Sequence, residues 1–408
     1  MVGSVQEPDG LIGEVLASRY RIEARVGDGA LGTVYRARHV KVGRPFAVKV
    51  LRRSMLGDDT IRRRFLREAE LAGALHHPSI VGVVDIGETR RGLCYLVMEY
   101  ASGDTLYDLI VQAAPMPAAR VIAIVRQLCD GLAHAHDHGL IHRDFKPENV
   151  IVERDQLGRD RVKIIDFGVA ILRDEAVSSG PERLTTAGLV LGTPHYMAPE
   201  QALGKPIDHR VDLFALGVMC FEMLTGRPPF DGDGVDIALA NVTVETPAMR
   251  DRAPDVAVDP LLEAFTRVLM MKSRDARPAS ATAARALIDL IDRDRATAAA
   301  VLDVELPPEP PAGSSDAARA PTLLAPVPPL DHPRAQTETT ERIAQLPLRR
   351  RSTAIATIAA AAVLVVLAAL VVALHPHELA DPGRAPPTLK PARTDDASPA
   401  RHAARLEH

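Results

Sequence analysis

The run His142-Arg143-Asp144-Phe145-Lys146-Pro147-Glu148-Asn149, with Asp166-Phe167-Gly168 shortly after it, puts strict demands on this chain. An aspartate, a lysine and an asparagine share one short stretch, and a second aspartate follows on the next turn. Together they can orient an attacking hydroxyl, steady a migrating anion and offer oxygen ligands to a divalent cation. Transfer of a phosphoryl group from ATP needs those four groups at one spot. Any fold for this chain has to deliver them there.

Upstream, Val26-Gly27-Asp28-Gly29-Ala30-Leu31-Gly32-Thr33-Val34 spaces Gly27, Gly29 and Gly32 as G-x-G-x-x-G. Dinucleotide-binding folds use the same spacing, but there a helix opens after the last glycine. Here Thr33 to Val40 is β-branched and alternating, which predicts a strand. A strand, a glycine turn and a second strand could fold over a triphosphate, and a plain hairpin turn is the simpler alternative. Next, Phe46 to Leu51 alternates: Phe46, Val48 and Val50 share one face, and Ala47, Lys49 and Leu51 share the other. Lys49 is thus a cation on a mostly apolar strand, a costly position without a partner.

A helix is expected from Asp58-Asp59-Thr60 to about Leu75, before His77-Pro78 stops it. Ile61, Phe65, Ala69, Ala72 and Leu75 make its apolar stripe. Glu68 falls inside that stripe and is the natural partner for Lys49, whereas Arg62, Arg63, Arg64 and Arg67 lie mostly off it as a solvated face.

These pieces, in this order, resemble the protein-kinase family, specifically bacterial Hanks-type transmembrane Ser/Thr kinases, from about Tyr20 to about Asp292. The resemblance implies an α+β, two-lobed fold with a small β-rich lobe and a larger helical one. It implies a Ser/Thr kinase that uses ATP with Mg2+ (or Mn2+), acts on Ser/Thr of proteins and phosphorylates itself. Asp144 would be the catalytic base, and Lys146 and Lys49 would steady the phosphates. Asn149 and Asp166 would hold the metal, and Glu68 would pair with Lys49. The nucleotide would lie against Val26, Gly27, Gly29, Gly32, Val34 and Ala47, with Met98 as gatekeeper and the backbone of Glu99 and Ala101 on adenine. His142 would be structural, tying its loop to Asp166-Phe167-Gly168.

Arg143 beside Asp144 implies an activation-loop phosphate, with Thr185 and Thr186 as the sites and Ser178 and Ser179 as alternatives. Thr193 resembles a substrate-site threonine. Glu200 of Ala198-Pro199-Glu200 would be buried against Arg277, and Asp212 would anchor the catalytic-loop backbone. Val211 to Leu224 is apolar almost all round but too short to span a bilayer, so it reads as a buried helix. The departures, Phe145 and Leu31, remove no charge or ligand. A scaffold that kept the kinase shape and lost catalysis is the rival reading, and intact Lys49, Asp144, Asn149 and Asp166 argue against it.

Residues 1–19 read as an N-terminal extension, 20–292 as the kinase domain, and 293–353 as a Pro/Ala-rich disordered linker. Within the linker, Gln336 to Glu341 reads as ordinary disorder, with a patch for a phosphothreonine-binding partner as the alternative. Residues 354–374 carry no charge, and at ~1.5 Å each a helix of that length matches the ~30 Å hydrocarbon core. Arg349-Arg350-Arg351 precede this single transmembrane helix. The positive-inside rule then keeps the kinase domain cytoplasmic and sends the short tail, 375–408, outside the cell membrane. A net charge of −4 leaves no nucleic-acid footprint. Cys94, Cys129 and Cys220 have no metal spacing and read as free thiols. A homodimer through the smaller lobe is implied by the resemblance alone.

Overall fold

A computed structural model of the chain describes residues 8–28, 32–51, 59–89, 92–167 and 194–306. All the described residues fall within one compact unit, Met1–Ala335, and residues 336–408 lie wholly outside the described residues. So do most of the expected linker, the 354–374 span and the tail.

Alternating strands build the smaller lobe. They are β1 (Val15–Leu16), β2 (Tyr20–Asp28), β3 (Gly32–His39), β4 (Pro45–Leu51), β5 (Val83–Glu88) and β6 (Cys94–Glu99). They pair antiparallel in the order β1-β2-β3-β4-β6-β5. The strand expected after Gly32 is present, with Gly27 opposite Val34 and Asp28 opposite Thr33. Gly32 has a local reason to be glycine, because a Cβ there would run into the Val50 carbonyl on β4.

The period-two faces of β4 separate two cores, as alternation requires. Phe46, Val48 and Val50 pack with Tyr20, Ile22, Tyr35, Tyr95 and Val97. On the other face Leu51 packs with Leu96, Met98 and two residues of α1 (Asp59–Gly73), Phe65 and Ala69. Lys49 sits on this second face, buried. β1 adds to the sheet edge, with Val15 opposite Arg21 and Leu16 buried, so the expected extension 1–19 ends inside the lobe.

The larger lobe opens with β7 (Asp104–Thr105), α2 (Leu106–Ala113) and α3 (Ala118–Asp137), then β8 (Val150–Arg154) and β9 (Asp160–Ile164). After the described chain resumes come α4 (Pro199–Ala202), α5 (Arg210–Thr225), α6 (Gly234–Thr243) and α7 (Met249–Arg252). It ends with α8 (Pro260–Leu269), α9 (Ala281–Arg293) and α10 (Arg295–Leu302). α5 is the expected apolar helix, buried from Val211 to Thr225. Gly217 lets α8 close on it, since a Cβ would stand 2.7 Å from Met270 Cγ and 2.9 Å from Leu269 Cβ. Gly226, at φ 69°, ends the helix in the left-handed conformation that glycine tolerates. The expected free thiols are all buried: Cys94, Cys129 and Cys220.

The expected domain end at 292 and linker start at 293 need correction. The Asp294 side chain caps α10 by accepting from the Thr297 N–H, Ala298 is fully buried, and Val304 and Leu306 pack on the core. An alanine-rich composition suggested a linker, but a cap and one small buried face suffice for docking. Among the described residues no helix is long and apolar enough to cross a membrane.

Beneath the catalytic stretch the Tyr196 hydroxyl donates to Glu222 at 2.8 Å. Burial pushes the Glu222 carboxyl from 4.5 up to about 8, the tyrosine partly opposing and Glu148 adding to the rise. The folded chain therefore holds a proton that the unfolded chain has released above pH 4.5. This contribution to stability is full below that pH and is lost as pH climbs through about 8. Glu222→Gln should therefore flatten the melting-temperature loss between about pH 5 and about pH 8 by on the order of a few degrees, as read by circular dichroism.

Candidate active site

Asp212, in the first turn of α5, organises the stretch between α3 and β8. Its carboxylate accepts from the backbone N–H groups of His142 at 2.9 Å and Arg143 at 2.8 Å, and from His136 Nε2 at 2.8 Å. Burial would raise the Asp212 pKa, but His136, His142 and the loop donors outweigh it and hold it below the usual carboxylate range. Those bonds keep Arg143 at φ 62°, a left-handed conformation that costs a non-glycine residue about 1–2 kcal/mol. His136 and Gln201, which donates to the Arg143 carbonyl at 2.9 Å, were missed in the sequence. No local spacing could have flagged either.

Past Arg143, Lys146 Nζ lies 3.2 Å from Asp144 Oδ2. Asn149 donates its side-chain N–H to the Asp144 carbonyl at 2.7 Å, which turns its amide oxygen the other way. The Asn149 carbonyl accepts from the Ile165 N–H at 3.0 Å, so β8 and β9 bring the next residue, Asp166, back to the loop. His142 Nε2 donates to the Ile165 carbonyl at 2.9 Å, and its ring lies between Phe145 and Phe167. With that nitrogen committed and the residue buried, His142 ties two segments together as expected.

Lys49 reaches across from β4 and donates to Asp166 Oδ1 at 2.8 Å. Burial pushes the Asp166 carboxyl up, yet Lys49, with smaller help from His142 and Lys146, holds it below the ordinary range. Asp166 also has a positive φ, 64°. Lys49, Asp144, Lys146, Asn149 and Asp166 thus meet in one place. Among the described residues no three His, Cys, Asp or Glu side chains form a metal site by themselves. A cation taken by the Asn149 oxygen and the ionised Asp166 would complete its shell from a phosphate or water, which suits Mg2+.

Ala47 stands opposite Met98 on β6, and Val34 opposite Lys49, which makes an apolar wall beside the cluster. Val26 is mostly exposed, at 57%. The Glu99 N–H is used by the Gly82 carbonyl, while Ala101 packs against the α1-side core. Glu68 is on α1, but its side chain lies outside the described residues; among these, Lys49 pairs with Asp166. Gly29, Gly168, Thr185, Thr186 and Thr193, like Ser178 and Ser179, also lie outside them. Arg277 donates to both Glu200 oxygens, at 2.6 and 2.8 Å, in a buried bidentate pair.

Comparison with known proteins agrees with this geometry. A protein kinase domain model matches residues 20–302. The serine/threonine-protein kinase pkn3 of Myxococcus xanthus is 40% identical over 290 residues, covering 71% of this chain and 53% of that protein. PrkC of Bacillus subtilis is 40% identical over 247 residues, 60% of this chain and 36% of its own. The chain thus spans about half, or less, of the curated relatives it matches. Among solved structures, the PknI kinase domain of Mycobacterium tuberculosis superposes with a TM-score of 0.53 at 29% identity, covering 69% of this chain and 99% of that domain. With well over half of its length matched, the chain belongs to the protein kinase family.

Proposed function

We propose that this protein is a Ser/Thr protein kinase that moves the γ-phosphoryl of ATP to hydroxyls of proteins and of itself. The observation that carries the reading is the meeting of Lys49 with Asp166 and of Lys146 with Asp144, with Asn149 beside both. Asp144 orients the substrate hydroxyl and takes up its proton, while Lys146 steadies negative charge on the group in flight. Asn149 and Asp166 would hold Mg2+, or Mn2+, which when bound neutralises charge along the phosphate chain. Lys49 turns to the phosphates when nucleotide enters, with Glu68 as its partner. Val26, Gly27, Gly29, Gly32, Val34, Ala47 and Met98 enclose the nucleotide. The Glu99 carbonyl and the Ala101 backbone meet the adenine edge, the Glu99 N–H being already in use.

Glu200 with Arg277, and Asp212, support this constellation from below. Thr185 or Thr186 carries the phosphate that orders the activation loop against Arg143. The rest of the reading rests on sequence: kinase domain inside, a linker, a single span at 354–374 in the cell membrane, and the 375–408 tail outside. Pairing of two copies through the smaller lobe, and a phosphothreonine reader on 336–341, stand on analogy with the family.

Labelled ATP distinguishes the enzyme from a scaffold: Asp144→Asn should cut phosphate incorporation by about 10²–10⁴-fold. Equal incorporation in wild type and variant would sink the reading. Mass spectrometry of active protein should find phosphate on Thr185 or Thr186, and its absence from both would reject that assignment. On fractionation the full chain should sediment with membranes, whereas a chain ending at Leu348 should stay in the supernatant. Equal partitioning of the two would remove the anchor.

A further inference from the structure

We propose that Gln201 is a positioning residue for Asp144, acting through the peptide that joins Arg143 to Asp144. This rests on the kinase reading above. The Gln201 side chain is held at both ends: its oxygen accepts from the Ala198 N–H at 3.1 Å, and its nitrogen donates to the Arg143 carbonyl at 2.9 Å.

The bonded carbonyl belongs to the same planar unit as the Asp144 N–H, which donates to the His142 carbonyl at 2.8 Å. Gln201 and His142 therefore grip opposite edges of one peptide plane. Turning that plane is the soft motion that would swing the Asp144 side chain away from Lys146. The grip is needed here because Arg143 is held at φ 62°, and the Asp212 bond restrains only the peptide on the other side of that residue. Gln201 is itself anchored through its neighbour Glu200, which is held by the buried pair with Arg277. A continuous line of bonded groups thus runs from Arg277 through Glu200 and Gln201 to the peptide before Asp144.

Two variants of the full chain test this, compared at matched phosphate content. Gln201→Leu keeps the bulk and loses both bonds; it should lower kcat by about tenfold or more, with the KM for ATP changed less than about twofold. Gln201→Glu keeps the acceptor for Ala198 but sets a carboxylate against the Arg143 carbonyl. Near pH 8 it should be as slow as the leucine variant. As the pH falls toward about 5, close to the ordinary carboxylate range, a growing share of the carboxyl gains a proton and can donate again, so its kcat relative to wild type should rise while the leucine ratio stays flat. A merely structural residue would not produce that divergence. Should the leucine variant fail to fold, the pH profile of the glutamate variant decides alone. A leucine variant within about twofold of wild type, or a flat glutamate ratio, overturns the proposal while an active wild type leaves the kinase reading intact. An inert wild type overturns both.

Discussion

The buried carboxylate of Asp212 is the contact on which the catalytic stretch depends. It receives two backbone donors from the loop and one from His136 on α3, and these compensate a charge taken out of water. Removing it would leave those donors unsatisfied in the core, at about 1–3 kcal/mol for each orphaned group. It would also release Arg143 from an unfavourable backbone conformation. α5 can hold this group steadily because it is enclosed by the larger lobe along its length. The loop's shape is thereby borrowed from a helix that is buried at every residue from Val211 to Thr225.

Much of the architecture was readable in the residues because it follows from periodicity. The two faces of β4, the stripe of Phe65 and Ala69 on α1, and the all-round apolarity of α5 are local patterns with one physical outcome each. The Glu200–Arg277 contact joins segments far apart in the chain, and family resemblance, not periodicity, suggested it. Where no pattern or resemblance applied, the sequence was silent. His136 and Gln201 act through single hydrogen bonds to distant backbone or carboxylate atoms, and nothing in their neighbours marks them. α10 was misjudged because its alanines look like linker, although burying Ala298 needs only a smooth surface and a capped end.

Two residues with positive φ, Arg143 and Asp166, flank the cluster from different segments. Each is held by bonds from outside its own segment: Arg143 by Asp212 and Gln201, Asp166 by Lys49. Strain at such a place persists only when the surroundings over-determine it. In this protein the surroundings are a helix in one lobe and a strand in the other, so the geometry of the cluster reports on both at once.

The three cysteines carry a last consequence. All are buried, and burial drives the Cys129 and Cys220 thiols far above the range in which a thiolate forms at neutral pH. Sulfur attacks peroxides and electrophiles as the anion, so these side chains offer oxidants and alkylating reagents almost no foothold. Redox stress would have to reach this protein through side chains other than its cysteines.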